Sequence, residues 1–105
     1  MKMLQAIRQE YWKRLERVNM AKVHELKIRP EYYNPVSSGT KTFEVRRDDR
    51  NFITGDFLIL REYVEQQKRF TGREVKVAVT YILRDSCYVR PGYVVMGIRK
   101  VGEAK

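Results

Sequence analysis

With 105 residues, 43% of them hydrophobic, the chain has enough material for one domain with a modest core and too little for two. Its 22 Lys and Arg against 13 Asp and Glu give a formal charge of +9, so a polyanion, RNA or DNA first of all, is the partner to expect. A single cysteine, Cys87, rules out an internal disulfide framework and favours a reducing, cytoplasmic compartment; no Cys/His cluster suggests zinc, and nothing in the sequence calls for a cofactor.

The first 20 residues carry charges throughout, which argues against a secretory signal or a membrane span, and Glu10 and Glu16 argue against a transit peptide. Leu4, Ile7, Tyr11, Leu15 and Val18 recur at spacings of three and four, with Trp12 beside them. Residues 2–20 therefore read as an amphipathic helix. A lone helix of that length is marginal in water, so docking on the following domain is its expected use. Pairing with a second copy as a homodimer, or resting on a partner as a protein-interaction module, are the alternatives. The division is an appended helix over 1–21 and a domain over 22–105.

Val23 to Ile28 alternates and Arg29-Pro30 ends the alternation, which predicts a first strand. Pro30 suits the first turn of a short helix over 31–38, with Tyr32, Tyr33 and Val36 as its buried set and Gly39 as terminator. A second strand covers about 41–47. Its period of two puts Phe43 and Val45 on one face and Thr42, Glu44 and Arg46 on the other, with Lys41 at the mouth of the glycine turn. Turns follow at Asp48–Asn51 and Thr54-Gly55-Asp56. Phe57 to Tyr63 is nearly continuous in apolar residues, as in a strand buried on both faces. Residues 64–72 read as a hairpin loop ending in Thr71-Gly72, Val75 to Tyr81 as a fourth strand, and Tyr93 to Lys100 as the last. This order predicts an α+β fold: a small barrel of about five strands with hairpin-type connections, a short helix plugging one end, and the appended helix.

Several polar side chains stand out in this frame. Lys41, Arg46, Arg47 and Arg50 suit phosphate, the arginines by bidentate contacts, with Lys27 nearby on the first strand. Glu44 suits an exocyclic amine, and Tyr32, Tyr33, Tyr81 or Tyr93 could stack a base. The plainer readings are a salt-bridged Lys41, Glu44 and Arg46 cluster, core tyrosines, and a turn in which Arg47 and Arg50 pair with Asp48 and Asp49. As a catalytic site, Lys41 would act as base, nucleophile or electrostatic stabiliser, with Glu44 moving protons and Arg46 stabilising an oxyanion. His24, on the first strand, reads as a structural hydrogen-bonder.

The run His24-Glu25-Leu26-Lys27-Ile28, then Gly39 to Arg46, Asp49-Arg50, Gly55-Asp56 and Gly92 to Ile98 resembles the ASCH domain of the PUA-like superfamily, in its small bacterial and phage branch. The signature Gly-x-Lys-x-x-Glu-x-Arg is matched at Gly39, Lys41, Glu44 and Arg46, and the similarity covers about residues 22–100. The resemblance implies a PUA-like pseudo-barrel with a cleft lined by the signature residues, holding RNA or a nucleotide-like ligand. Thr42, Arg47, Arg50, Lys27 and Tyr81 are the further binding candidates. Relatives include amidohydrolases that deacetylate acetylcytidine, and ribonuclease activity occurs in the superfamily, so a small hydrolase with Lys41 and Glu44 as its catalytic pair is the alternative. The amidohydrolases place a threonine three positions after the lysine and a glutamate on a later strand. Here Glu44 stands at that threonine position, Thr42 is one residue from Lys41, and Glu74 begins a later strand.

Overall fold

The computed structural model describes residues 21–102. The amphipathic helix read over 2–20, with its docking and dimerisation roles, lies outside the described residues. The elements are β1 (Val23–Ile28), α1 (Pro30–Ser38), β2 (Phe43–Arg47), β3 (Phe57–Val64), β4 (Arg69–Leu83) and β5 (Tyr93–Lys100). The five strands form one mixed sheet in the order β1-β3-β4-β5-β2. β1 runs parallel to β3, and the other neighbours are antiparallel.

Each element follows from local chemistry. In β1, His24, Leu26 and Ile28 are buried and alternate with exposed Glu25 and Lys27, and Pro30 removes the donor that would extend the strand. Pro30 opens α1 where a missing N–H costs nothing, and Gly39 closes it in the left-handed region with φ 86°. Tyr33 and Val36, three apart, face the core, and the Tyr33 hydroxyl donates to the Glu74 carbonyl. Tyr32, expected in the buried set, is 45% exposed, because a nine-residue helix presents only one stripe to the sheet.

The start of β1 and the turn before β3 are tied by one carboxylate. Asp56 is fully buried and accepts from Lys22 N, Ile53 N and His24 Nε2 at 3.0, 3.0 and 2.9 Å. His24 thus has a structural partner, and its ring also meets Phe52 edge-on at 4.8 Å. Phe52 itself is buried in the core beside Leu58, Leu60, Val77, Val94 and Met96.

Two connections differ from the sequence reading. β2 does not form a hairpin with β3: it pairs with β5, while β3 lies between β1 and β4. Buried Phe52 anchors the crossing segment, and Arg84 donates to its carbonyl at 2.6 Å. The β3–β4 turn is also tighter than read, occupying 65–68, with Thr71-Gly72 inside β4. The register shift between Arg61 and Tyr63 makes 71–73 a bulge opposite Glu62, and Gly72, φ 98°, supplies its unusual backbone. Thr71 and Arg73 turn from this bulge onto buried Glu62, with Thr71 Oγ1 at 2.7 Å and Arg73 Nε at 2.9 Å from Oε1.

β1 and β2 are the two edges of the sheet, and no ladder joins them among the described residues. The sheet curls until these edges face each other. Two arginines bridge the gap: Arg46 Nη2 donates to Lys27 O at 2.6 Å and Arg50 Nη1 to Glu25 O at 3.4 Å. Side-chain donors thereby satisfy edge carbonyls that a closing strand would otherwise take. Among the described residues no helix is long and apolar enough to cross a membrane.

Candidate functional site

The gap between β1 and β2 is the cleft. Inverted polarity on β2 builds it: Glu44 points inward and is 4% exposed, whereas Phe43 and Val45 point outward at 47% and 52%. A strand that buries its carboxylate and exposes its apolar residues departs from the usual one-way pattern. The burial is tolerated because both oxygens are occupied. Lys41 Nζ donates to Oε1 and Arg46 Nε to Oε2, each at 2.9 Å. Lys41 Nζ also donates to Phe43 O at 2.6 Å and lies 4.5 Å from the centre of the Phe43 ring. With its second bond to Lys27 O, Arg46 is at once a partner of the carboxylate and the rivet between the two strand edges.

The cleft measures about 580 Å³. Its cationic lining residues are Lys27, Arg29, Lys41, Arg46 and Arg47, against the single carboxylate of Glu44. Tyr32, Phe43 and Tyr93 supply aromatic walls. Glu44 neutralises only part of this charge, so the cleft is electropositive and suited to an anion. Arg47 lies 5.5 Å from the centre of the Tyr93 ring. Lys27 lines the cleft while its ammonium sits 4.0 Å over Tyr63.

The fold thus brings Lys27, Lys41, Glu44, Arg46 and Arg47 together, with Arg50 bonded to β1 beside them. Gly39 and Thr42 lie instead along a smaller hollow of about 230 Å³ that shares Lys41. Tyr81 is on the outer face of β4, away from the cleft, and Tyr33 is buried under α1 with Arg73 4.5 Å over its ring. Glu74, too, is outside the cleft lining and pairs with Lys76 at 3.2 Å. In the turn after β2, Asp48 bonds Arg84 at 2.6 Å rather than Arg47 or Arg50, and this bond raises the Arg84 guanidinium above its ordinary value. Arg47 and Arg50 are left without a carboxylate partner among the described residues. Arg29 and Phe43, not among the residues the sequence marks as ligand contacts, also line the cleft. The signal for Phe43 was there: its neighbour Glu44 can point inward only if Phe43 points out.

The profile of a family described as a domain of unknown function (DUF3850) matches residues 23–98. An uncharacterized 12.9 kDa protein in the GpA 3' region of Escherichia phage P2 is 48% identical over 61 residues, which are 58% of this chain and 54% of that relative. The chain thus spans about half the length of the curated relative it matches. The family match begins at the first residue of β1 and ends within β5, taking in the sheet and both walls of the cleft, and the chain belongs to the DUF3850 family.

Proposed function

We propose that this domain binds RNA or a nucleotide-like ligand in the cleft between β1 and β2, as a PUA-like pseudo-barrel of the ASCH kind working in the cytoplasm. The observation that carries the reading is buried Glu44, held by Lys41 and Arg46 at the centre of an open, basic, aromatic-walled cleft. A carboxylate offers about four lone-pair sites, and its two cations take two, so acceptor capacity remains for an exocyclic N–H. Tyr32, Phe43 and Tyr93 offer faces for a planar base, and Arg29 and Arg47 offer charge for a phosphate. The cleft volume falls in the range of roughly 300–1,000 Å³ usual for small-ligand sites.

Binding is favoured over hydrolysis by the state of Lys41. Its ammonium donates to Glu44 and to Phe43 O, so it serves as a fixed positive charge, and a nucleophilic amine would first have to leave both partners. The experiment is a panel of nucleosides, nucleotides and short RNAs screened by thermal shift and followed by calorimetry. A Lys41→Ala, Arg46→Ala double variant, checked for folding by circular dichroism, should lose the binding. Salt-sensitive affinity unchanged in that variant overturns the site assignment. Acetate released from acetylcytidine by the purified protein, and stopped by Lys41→Ala, would decide for the hydrolase.

A further inference from the structure

The alternation that turns Glu44 inward turns Phe43, Val45 and Arg47 onto the opposite, outer face of the sheet. The registers place Phe43 beside Gly97 and Gly97 beside Tyr81, and in the next row Val45 beside Val95 and Val95 beside Leu83. Arg47 pairs with Tyr93. Tyr81 is 66% exposed. Single exposed apolar residues need no explanation, but these rows adjoin across three strands.

The row through Gly97 has a particular shape. The register shift between Val79 and Tyr81 lays both Thr80 and Tyr81 against Gly97. A Cβ on Gly97 would stand 2.7 Å from Thr80 Oγ1 and 3.8 Å from Tyr81 Cβ. A side chain on Gly97 would have to displace the Thr80 hydroxyl, and glycine leaves a low floor between Phe43 and Tyr81. Two strand spacings separate the two aromatic positions by about 10 Å. One planar ring held between two others at van der Waals contact needs about 7–8 Å. The polar atom of the floor is the Thr80 hydroxyl, which is exposed and has no hydrogen-bond partner among the described residues.

Cations stand at both ends of this surface. Arg47 and Arg90 lie 5.5 and 5.6 Å from the Tyr93 ring at one end, and Arg99 follows Gly97 by two residues at the other. Among the described residues none of these arginines has a carboxylate partner. Tyr93 to Arg99 spans about 20 Å of strand. A second copy of the chain would oppose arginine to arginine here at a formal charge of +9 each, which disfavours a self-interface. Stacking platforms between free arginines suit single-stranded nucleic acid. Phe43, Arg47 and Tyr93 belong to both places, since they line the cleft and also stand on the outer face, where Phe43 is the first platform.

We infer that the outer face of β2, β5 and β4 is a second, contiguous contact surface for single-stranded RNA. A base beyond the one in the cleft stacks between Phe43 and Tyr81 over the Thr80 hydroxyl, with Arg47, Arg90 and Arg99 on the phosphates. The inference rests on the nucleotide-binding reading of the cleft and extends it from a nucleotide to a short strand.

The test is the affinity of the full chain for uridine monophosphate and for oligouridylates of up to about eight nucleotides, by calorimetry and fluorescence anisotropy. Affinity should rise with length over the first few nucleotides. Tyr81→Ala, a change at an exposed position, should weaken oligonucleotide binding about tenfold and leave the mononucleotide unaffected. Mononucleotide binding with no gain from length, or a Tyr81→Ala variant that binds oligonucleotides like the wild type, overturns the outer surface and leaves the cleft standing. Oligonucleotide binding lost in Tyr81→Ala but kept in Lys41→Ala supports the outer surface and overturns the cleft. A dimer in sedimentation that Tyr81→Ala dissolves would assign the face to a second copy and overturn the inference, and no binding of any probe overturns both readings.

Discussion

Replacing Arg46 by methionine keeps the reach of the side chain and removes both bonds by which it holds the cleft. Glu44 Oε2 loses its donor at 2.9 Å and Lys27 O loses its donor at 2.6 Å. Glu44, 4% exposed, is left with Lys41 alone. Hydrogen bonds to charged groups contribute about 1.5–3 kcal/mol each, and water at the open cleft can reach the freed oxygens, so a joint cost of about 2 kcal/mol is expected. Unfolding entropy of about 2.1 cal/mol/K per residue gives about 0.22 kcal/mol/K for a chain of this length, so the thermal midpoint should fall by about 9 °C. Glu31→Gln is the control: it removes an exposed pair at 3.7 Å and should change stability by less than about 0.5 kcal/mol. The assay is thermal denaturation followed by circular dichroism. If Arg46→Met melts within about 2 °C of the wild type while Glu31→Gln does the same, the arginine is no rivet, and the account of how the two edges are held is refuted.

Three further outcomes follow from the same geometry. Asp56→Ala strips acceptors from two backbone amides and His24 in a fully buried position, and should cost about 3 kcal/mol or more in urea denaturation; a loss under about 1 kcal/mol would count against its role as the tie between β1 and β3. Glu62 is held below the ordinary carboxylate range by its bonds from Arg73 and then Thr71. The unfolded chain therefore takes up that proton first, so the stabilisation is complete above the ordinary glutamate value and fades as pH falls through the lower folded value. Glu62→Gln should flatten the acid limb of the stability profile, and an unchanged limb would place the pH dependence elsewhere. Gly97→Ala should cost about 1 kcal/mol through the clash with Thr80 Oγ1, and adding Thr80→Ala should restore it; independent, additive effects in that double-mutant cycle would contradict the close approach.

Much of this fold was legible because local signals bounded its elements sharply. Alternation stopped by Pro30 set β1, and the Pro30 to Gly39 interval set the helix. β5 lay between Gly92 and the loss of alternation after Lys100. What stayed hidden depends on partners distant in sequence. Thr71-Gly72 has turn chemistry, yet the glycine serves a bulge that aims Thr71 and Arg73 at Glu62, nine and eleven residues away. The β2–β5 pairing joins segments about fifty residues apart, and no local pattern announces it. The cleft shows the same division. The two faces of β2 could be read from its period of two, but which face is inside could not, because apolar residues ordinarily turn inward and here Glu44 does. The bridge from Arg46 to Lys27 O needs the curl of the whole sheet to bring 19 residues of separation within 2.6 Å. Tyr81 and Tyr93 read alike as aromatic candidates and stand on one face of the sheet, and only the position of Tyr93 opposite Arg47 on the edge strand brings it to the cleft.

The most direct measurement of the central claim is calorimetric titration of nucleotides and short RNA into the wild-type chain and the Lys41→Ala, Arg46→Ala variant, at two salt concentrations and at a temperature where both are folded. Binding to the wild type should be saturable, weaken as salt rises and disappear in the variant. Binding of equal strength in the two proteins, or none in the wild type, would contradict the claim.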